Sequence, residues 1–381
     1  MTRALRVLHV VSGDLWAGAE VQAFTLMSHL ARLPQTEVAA VLMNPGTLAD
    51  RLRSVGVPAF VLDEQKTRSV RIFARLRGVL RRWQPDIIHT HRQKENILGS
   101  LANRACRTVP SVRTVHGAPE QTVRAGLGAA RSRLIHGLDR WCGRALQQRI
   151  IAVTQELGVR LREEFPSGKV TVIENGVDAG EVRRNVTAAT FRVAAPEAIH
   201  VGVAGRLVEV KRVDLFLEAV ALLPREHPGW EWRFHVFGEG PMRRDLEALS
   251  ERLQLGAKVS FHGHREDIAT CVAGLDVLVI CSDHEGMPMI SLEAAALGVP
   301  TVAHAVGGLV EVVPEEFLVT QHDARGYTDG ILRALREDAR AIAARHAAQM
   351  LEQFSAQRNA ERVRALYEEV VAESHASGRK P

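Results

Sequence analysis

The sequence predicts an α/β protein with two doubly wound parallel-sheet domains in tandem. Short apolar runs alternate with amphipathic helical segments through the first half of the chain, and the same alternation starts again in the second half. The runs are almost continuously apolar, which is typical of strands covered by helices on both faces. The length of 381 residues favours two domains, because a single hydrophobic core rarely serves more than about 250–300 residues.

Seven strands are predicted in the first half. They are Leu5–Val11, Val38–Leu42, Ala59–Leu62, Asp86–His89, Ser111–Val115, Ile150–Val153 and Val170–Ile173. Helical stripes with spacings of three and four lie between them. One such stripe consists of Val70, Phe73, Leu76, Val79, Leu80 and Trp83.

The second half repeats this pattern. Its predicted strands are Ile199–Ala204, Trp232–Phe237, Val259–Phe261, Val277–Ile280 and Thr301–Ala303. After about Arg325 the pattern is helical. We therefore place a first domain at residues 1–180 and a second at 181–354, joined within the polar stretch Gly176–Glu197. We expect a C-terminal helix at about 355–375 to pack back on the first domain.

Composition excludes several classes of protein. No apolar run reaches the roughly 18 residues that a membrane span needs. Leu5–Val11 is interpreted as a buried strand rather than a signal peptide, since no small-residue cleavage site follows it. The four cysteines show no Cys-x-x-Cys spacing, which favours a reduced, cytoplasmic chain.

Charge is divided unevenly between the halves. Residues 1–175 hold 26 Lys and Arg against 14 Asp and Glu, a net charge of +12, and the remaining residues hold 23 against 30, a net charge of −7. Two basic amphipathic segments, Lys66–Trp83 and Arg124–Arg149, lie in the first half. Such segments bind anionic lipid surfaces; a solvated helix face is an equally good interpretation of each. No nucleic-acid-binding module is present.

Polar residues follow the predicted strands, where ligands bind in doubly wound sheets. Gly205 and Arg206 follow the first strand of the second domain, and Lys211 directly precedes the next helix. Cations beside a helix N-terminus form a natural diphosphate site. The alternative is that both cations are solvated surface residues.

Two carboxylates, Glu285 and Glu293, lie on either side of a Gly-Met-Pro turn. Pro288 is expected at the first position of a helix, so that Glu285 belongs to a loop and Glu293 to the helix. Eight helical residues span roughly 12 Å. The pair therefore suits two ends of an elongated polar ligand better than one metal ion, unless both are solvated.

Histidines His89 and His91 alternate on the fourth strand, and His116 follows the fifth. The His-x-His pair could indicate metal ligation. No nearby group of His, Asp or Glu in the sequence completes a site, so we expect no metal. His116 is the stronger functional candidate because it stands at a strand end.

Seven motifs together resemble glycosyltransferase family 4, whose members are retaining enzymes with the GT-B fold of two Rossmann-like domains and a cleft between them. The motifs are Ala17-Gly18-Ala19-Glu20, Thr114-Val115-His116-Gly117, Glu174-Asn175-Gly176-Val177-Asp178, Gly205-Arg206 with Lys211, Phe237-Gly238-Glu239-Gly240-Pro241, Phe261-His262-Gly263 and Glu285-Gly286-Met287-Pro288 through Glu293. The resemblance covers about Arg6 to Val312.

This resemblance implies a nucleotide-diphosphate sugar donor, UDP- or GDP-linked, and neither a cofactor nor a metal. It implies catalytic roles for His116, Arg206, Lys211 and Glu285. Arg206 and Lys211 would neutralise the diphosphate, Glu293 would bind the ribose, and His116 would contact the sugar or its phosphate. The remaining implied donor-binding residues are Gly18, Gly205, His264, Gly286, Met287, Pro288, Met289 and Ile290.

The implied acceptor is a glycan or lipid-linked precursor of cell-envelope polysaccharide or lipopolysaccharide. A cytoplasmic enzyme in peripheral contact with the inner face of the membrane would reach such an acceptor through its basic first domain. A sugar-nucleotide epimerase of the same architecture and a non-catalytic nucleotide-sugar-binding protein remain alternatives. A nicotinamide oxidoreductase is disfavoured, since no glycine loop fits Gly-x-Gly-x-x-Gly.

Overall fold

The computed structural model describes residues 3–117 and 127–376, and the chain divides into two units. The first unit comprises Met1–Gly176 and Ala356–Pro381, and the second comprises Val177–Ser355. The division lies at the start of the stretch Gly176–Glu197. Arg124, at the start of the second basic segment, lies outside the described residues.

The first unit alternates strands and helices. Its elements are β1 (Leu5–Val11), α1 (Gly18–Leu30), β2 (Thr36–Leu42), α2 (Thr47–Ser54), β3 (Ala59–Val61), α3 (Ser69–Trp83), β4 (Ile87–Thr90), α4 (Gln93–Arg104), β5 (Ser111–Val115), α5 (Leu127–Ala145), β6 (Arg149–Ala152), α6 (Gln155–Glu164) and β7 (Val170–Val172). All seven predicted strands are present, and their bounds differ by no more than a few residues from those expected.

The second unit repeats the alternation. Its elements are α7 (Ala179–Arg184), α8 (Thr190–Ala194), β8 (Ile199–Ala204), α9 (Val213–Glu226), β9 (Trp232–Phe237), α10 (Arg243–Arg252), β10 (Val259–Gly263), α11 (Ile268–Ala273), β11 (Val277–Ile280), α12 (Met289–Leu297), β12 (Thr301–His304), α13 (Leu309–Val312), β13 (Leu318–Val319), α14 (Ala324–Ala334) and α15 (Ala339–Gln353). The last helix, α16 (Ala356–Ala376), belongs to the first unit.

Both sheets are parallel and doubly wound. The first has the order β3-β2-β1-β4-β5-β6-β7, and the second has the order β10-β9-β8-β11-β12-β13. The strand order reverses direction between β1 and β4 in the first sheet, and between β8 and β11 in the second. Ligands of such sheets bind at this switch point, beyond the carboxyl ends of the strands.

Helix α16 completes the core of the first unit. Val363, Tyr367 and Val370 on this helix are buried in the same cluster as β1 and α1 residues. The side-chain amide of Asn359 donates to the backbone oxygen of Glu174 at 2.6 Å. The C-terminal helix is therefore part of the first unit, although it follows the second unit in the chain.

The stretch Gly176–Glu197 is not a free linker. Helix α7 is held to the second unit by Arg183, whose Nε donates to the backbone oxygen of Ala296 at 2.7 Å. The ring of Phe191 on α8 lies 4.1 Å from that of His235, within the second hydrophobic core. Phe191 thus packs on a face of the second sheet, a contact that the polar composition of the stretch did not indicate.

No helix in the described part of the chain is both long and apolar enough to cross a lipid bilayer.

Candidate functional site

The switch point of the second sheet carries a small cleft. Gly205 follows β8 and Ser282 follows β11, and both line this cleft together with Lys211, Val213 and Cys281. Lys211 reaches it from a short 3-10 turn, Glu209–Lys211, that leads into α9. The cleft thus combines a glycine backbone, a hydroxyl and a cation.

Lys211, Ser282 and Glu285 form one hydrogen-bonded group at this edge. The Lys211 Nζ lies 2.6 Å from the Glu285 Oε1, and the Ser282 hydroxyl donates to the same oxygen at 2.6 Å. The Glu285 side chain is 9% exposed and that of Lys211 is 28% exposed. Sequence reasoning identified both charged residues but not their pairing, nor the role of Ser282.

Arg212 holds the loop that carries this group. It adopts a left-handed backbone with φ of 46°, and its guanidinium contacts the carboxylates of both Asp214 and Asp283. The Asp283 N–H donates to the backbone oxygen of Val210 at 2.9 Å. His322 lies 2.9 Å from the same Asp283 carboxylate. The loops after β8 and β11 are therefore fixed to each other beside Lys211 and Glu285.

Gly307 lets a second loop approach the backbone of Glu285. Its φ is 55°, and a Cβ atom there would lie 2.0 Å from the Glu285 carbonyl oxygen. The next residue, Gly308, donates its N–H to the Gly286 carbonyl oxygen at 2.7 Å. A side chain at position 307 would displace the Glu285 turn, which explains the glycine at this position in physical terms.

Gly238 likewise allows a close approach of two loops, because it lies against the backbone of Gly205. A Cβ atom at Gly238 would lie 1.8 Å from the Gly205 carbonyl oxygen. The Gly205 N–H donates to Phe237, and the Gly238 N–H donates to Gly263, at 2.9 and 2.7 Å. Backbone hydrogen bonds thus join the loops after three neighbouring strands, β8, β9 and β10.

Helix α12 places Glu293 inside the protein. The helix begins at Met289, and Pro288 is its N-cap rather than its first residue, one position from the expectation. Ser291 donates its hydroxyl to the Pro288 carbonyl at 2.7 Å. Glu293 is 8% exposed, and burial alone raises the pKa of its carboxyl group to about 7. Hence Glu293 is not a solvated surface glutamate.

The carboxyl group of Glu293 makes stability depend on pH. Its pKa lies above the ordinary value of 4.5, so the folded protein binds this proton more tightly than the unfolded chain does. Stability is therefore lost as the pH rises from about 4.5 to about 7. Glu293→Gln mimics the protonated form, and we expect it to increase the free energy of unfolding by roughly 3 kcal/mol at pH 8.

Urea unfolding at pH 5 and pH 8 measures this difference. The gain should be small at pH 5 and nearly complete at pH 8. Glu352→Gln, on an exposed face of α15, is the matched control and should change neither value. An equal effect of Glu293→Gln at both pH values would contradict the burial argument.

The other expected donor-binding residues of this unit differ in their exposure to solvent. Arg206 is exposed directly after Gly205, and His264 is exposed directly after β10. Met287 and Met289 are buried, and Ile290 is half-buried. A hydrogen bond joins Lys211 directly to Glu285, whereas His264 makes no hydrogen bond within residues 3–117 and 127–376.

In the first unit, Gly18 is the first residue of α1, and the space where a Cβ atom would stand is open. Glu20, in the first turn, is fully buried, and its carboxylate lies 2.8 Å from the Arg92 guanidinium. Burial raises the pKa of Glu20 to about 7 despite that cation. A ligand could approach the helix N-terminus at Gly18 without displacing a side chain there.

His116 lies directly after β5 and belongs to a cluster of histidines. Its Nε2 lies 3.1 Å from the His91 Nδ1, and the His91 Nε2 lies 3.0 Å from the His9 Nδ1. His9 on β1 pairs in register with His89 on β4. We expected no further His, Asp or Glu beside the His-x-His pair. This expectation is wrong, because strand pairing brings His9 next to His89 and His91.

Burial keeps these imidazoles neutral. It lowers the pKa of His9 and His116 to about 3, and that of His91 well below its ordinary value. His9, His89 and His91 offer three nitrogens within 4.8 Å of one another. However, the nitrogens of His89 already face the Tyr367 and Thr114 hydroxyls.

Two family models match the chain. Residues 16–181 match the model described as Glycosyltransferase Family 4, and residues 198–337 match the model described as Glycosyl transferases group 1. The two matched ranges cover most of both units.

Curated relatives align over nearly the whole chain. A D-inositol 3-phosphate glycosyltransferase of Saccharomonospora viridis is 29% identical over 93% of this chain and 86% of its own length. The UDP-Gal:alpha-D-GlcNAc-diphosphoundecaprenol alpha-1,3-galactosyltransferase of Escherichia coli is 24% identical over 96% of this chain and 97% of its own.

A solved structure supports the same assignment at the level of the fold. Anabaena HepE, in a complex with UDP and glucose, superposes with a TM-score of 0.81 at 20% identity, over 96% of this chain and all of its own. With both family models matched in order, the chain belongs to glycosyltransferase family 4 and is a glycosyltransferase of the GT-B fold.

Proposed function

We propose that the protein is a retaining, metal-independent hexosyltransferase. It moves a sugar from a UDP- or GDP-sugar to a glycan or lipid-linked acceptor in the synthesis of cell-envelope polysaccharide or lipopolysaccharide. The observation that carries this proposal is the group formed by Lys211, Ser282 and Glu285 beside the Gly205 backbone. It supplies a cation and a carboxylate at the switch point of a doubly wound sheet.

The charges of this group suit glycosyl transfer. When the anomeric C–O bond breaks, its electron pair stays on the departing phosphate oxygen and positive charge develops on the sugar. Arg206 and Lys211 stabilise the diphosphate where the negative charge develops. Glu285 orients Lys211 and accepts hydrogen bonds from sugar hydroxyls, while the N–H groups at the start of α12, near Gly286 and Met289, face the sugar.

Retention follows from substitution on one face of the sugar. The acceptor oxygen forms the new bond to the anomeric carbon on the face that the diphosphate leaves, and its proton passes to the departing phosphate oxygen. No second carboxylate is needed as a nucleophile. The two cations supply the positive charge that a divalent metal would otherwise supply, which is why we propose metal independence.

Thermal-shift screening against UDP-, GDP- and ADP-sugars tests the donor. A ligand that binds only the folded state stabilises it by mass action, so one base and one sugar should raise the melting temperature in a concentration-dependent way. The product of turnover should keep the anomeric configuration of the donor and form equally well in EDTA. No shift with any nucleotide sugar would contradict the proposal, and isomerised donor formed without acceptor would indicate an epimerase.

The variant Glu293→Gln tests whether Glu293 binds the donor. In the proposed complex, ribose hydroxyls donate to the ionised Glu293 carboxylate. The amide of glutamine keeps the shape but loses the charge, so the donor Kd should rise by about tenfold, as expected for loss of a charged hydrogen bond of about 1.5 kcal/mol. An unchanged Kd would remove Glu293 from the donor site.

The acceptor proposal rests on a surface of helix α5. Leu134, Leu138 and Trp141 follow one another at spacings of four and three, and their exposed fractions are 73%, 37% and 49%. Four exposed arginines accompany them: Arg131, Arg133, Arg140 and Arg144. The acid of this helix, Asp139, is buried against Arg113 at 3.0 Å. We call this apolar and basic face the α5 face.

Helix α3 differs from α5 although both sequences are basic and amphipathic. Its apolar residues Leu76, Val79 and Leu80 are buried in the first unit, which favours the solvated-face interpretation for its arginines. The apolar residues of the α5 face have no such cover. The charge and the exposed apolar groups of α5 match an anionic bilayer surface, and a lipid-linked acceptor lies in such a surface.

Sedimentation with anionic vesicles tests this contact. The triple variant Leu134→Ser, Leu138→Ser and Trp141→Ser should bind phosphatidylglycerol vesicles at least about tenfold more weakly, because it loses apolar area that enters the bilayer. Binding of the unmodified protein should also weaken in high salt. Both effects would support a peripheral contact with an anionic membrane, which we propose the protein makes from the cytoplasm, at the inner face.

A second triple variant controls for the loss of exposed apolar groups in general. Val159→Ser, Val193→Ser and Trp230→Ala replace residues of comparable exposure elsewhere, at 60%, 66% and 44%. This control should bind vesicles like the unmodified protein. Equal binding by both triple variants, or no vesicle binding by the unmodified protein, would contradict the membrane contact.

A further inference from the structure

Three neighbouring strands bring three imidazoles into one hydrogen-bonded chain. His9 lies on β1, His91 directly after β4 and His116 directly after β5, and these strands are adjacent in the sheet. The ring nitrogens face each other at 3.0 Å between His9 and His91 and at 3.1 Å between His91 and His116. Both ring nitrogens of His91 are thus used, one toward His9 and one toward His116. We call these three residues the histidine chain.

The hydrogen bonds of the histidine chain must all run in one direction. A neutral imidazole has one N–H donor and one bare nitrogen acceptor. Burial keeps all three rings neutral, as their lowered pKa values indicate. If His91 accepts from His9, it can only donate to His116, and if it donates to His9, it can only accept from His116.

The inner end of the chain favours one of these two directions. The His9 Nε2 is fully buried and has no hydrogen-bond partner in the described part of the protein. In one direction this atom is a bare nitrogen, and in the other it is an N–H group without an acceptor. Buried N–H groups without an acceptor are rare in folded proteins. The His9 proton therefore belongs on Nδ1, where it can be donated to the His91 Nε2.

We propose that His9 and His91 are positioning residues that hold His116 as a neutral Nδ1–H donor toward an oxygen atom of the substrate. His9 donates to His91, and His91 donates to the His116 Nε2, so the His116 proton must lie on Nδ1. A sugar hydroxyl or a phosphate oxygen can accept this N–H. The direction of the chain makes His116 a hydrogen-bond donor and not a general base.

A metal ion does not fit the same histidines as they stand. Nitrogen ligands of one tetrahedral zinc ion, with bonds of about 2.0–2.1 Å, lie roughly 3.3 Å apart, whereas the nitrogens of His9, His89 and His91 spread over as much as 4.8 Å. Binding would also break the hydrogen bonds of His91 to His9 and His116. The observed distances suit hydrogen bonds between rings.

The second unit contains another pair of hydrogen-bonded histidines, His200 and His235. The direction of their hydrogen bond is fixed by a backbone carbonyl group. The His200 Nε2 lies 2.8 Å from the Ala195 backbone oxygen, which can only accept. His200 must therefore accept from His235 at its Nδ1, across 2.9 Å. This pair is an internal reference for the experiment, because the tautomer of His200 follows from geometry alone.

Long-range ¹H–¹⁵N correlation spectra of the full chain, labelled with ¹⁵N-histidine, identify which ring nitrogen carries each proton. His200 should be protonated at Nε2 and His116 at Nδ1, with His116→Gln used to assign its signal. A His116 signal protonated at Nε2, or a mixture of both tautomers, would overturn the proposal.

Variants of His91 test whether the chain sets this tautomer. His91→Phe keeps the ring volume but removes both nitrogens, so His116 should lose its single tautomer and kcat/KM should fall about ten- to a hundredfold, as when the residue that orients a ligating histidine is removed. His91→Gln, whose amide can donate to His116, should restore both. His89→Phe removes a neighbouring buried histidine outside the chain and should leave the His116 tautomer unchanged.

This inference rests on the proposed function for the substrate of His116, but the tautomer is a property of the unliganded protein. If His116 shows an Nδ1–H signal but the protein transfers no sugar, the proposed function is refuted, while the inferred hydrogen bonds of the histidine chain still hold. An unchanged tautomer or unchanged kcat/KM in folded His91→Phe, in an active enzyme, would refute the positioning role alone.

Discussion

Arg206→Ala is expected to lower kcat by about 10²–10³, the usual effect of removing one preorganised donor to a charge that develops in the transition state. Arg206 follows Gly205 at the carboxyl end of β8. Its guanidinium can offer two parallel N–H groups to phosphate oxygens. Because the charge of the leaving diphosphate grows as the sugar departs, the loss should appear in kcat more than in KM.

Steady-state kinetics with the donor found by thermal shift measure this effect. Arg252→Ala, an exposed arginine at the end of α10, is the matched control and should retain full turnover. Arg206→Lys should restore only part of the activity, since an ammonium cannot make the paired contact. Turnover of Arg206→Ala equal to that of the control would contradict the role of this residue.

Lys211→Met should reduce both activity and stability. It removes a cation from the diphosphate, with an expected loss of about 10²–10³ in kcat. It also leaves the Glu285 carboxylate, only 9% exposed, with Ser282 but without its counter-charge. Breaking a buried ion pair in this way costs about 3–5 kcal/mol, and urea unfolding measures that loss.

The double variant Lys211→Met with Glu285→Gln separates these two effects. Since the neutral amide no longer needs a counter-charge, most of the stability should return, while kcat should stay low. Together with Glu285→Gln alone, these variants form a cycle that isolates the interaction between the two residues. Equal losses of stability in the single and double variants would contradict the pairing, and recovery of kcat in the double variant would contradict the role of Lys211 in catalysis.

The succession of strands along the chain and most of their bounds follow from the sequence alone. Buried parallel strands are apolar on both faces, so runs such as Leu5–Val11 and Ile199–Ala204 stand out from their surroundings. The two-residue strand β13 gave no such signal, because no periodicity can develop over Leu318–Val319. The packing of Phe191, within the stretch predicted to hold the join between the domains, could not be predicted, since it depends on the sheet that this residue covers.

Parts of the site could be predicted because their residue types are strongly constrained. Gly238, which belongs to one of the seven motifs, lies where the backbone of another loop leaves no room for a side chain, so this glycine marks the site in the sequence. The burial of Glu293 could not be predicted, because its neighbours on α12 do not show which face of the helix the sheet covers.

Contacts between distant residues could not be predicted from spacing. His9 and His91 are 82 positions apart, and only the pairing of β1 with β4 brings them together. The basic segments that became α3 and α5 have similar compositions, and only tertiary packing shows that Leu80 is buried and Leu134 is exposed. Such outcomes depend on topology rather than on local pattern.

A crystal structure of the protein with bound UDP would show directly whether these cations hold the diphosphate. We expect the Lys211 Nζ and the Arg206 guanidinium each to lie about 2.7–3.2 Å from an oxygen of the diphosphate, beside the Gly205 backbone. A diphosphate bound elsewhere, with Lys211 still bonded only to Glu285 and Arg206 directed into solvent, would contradict it.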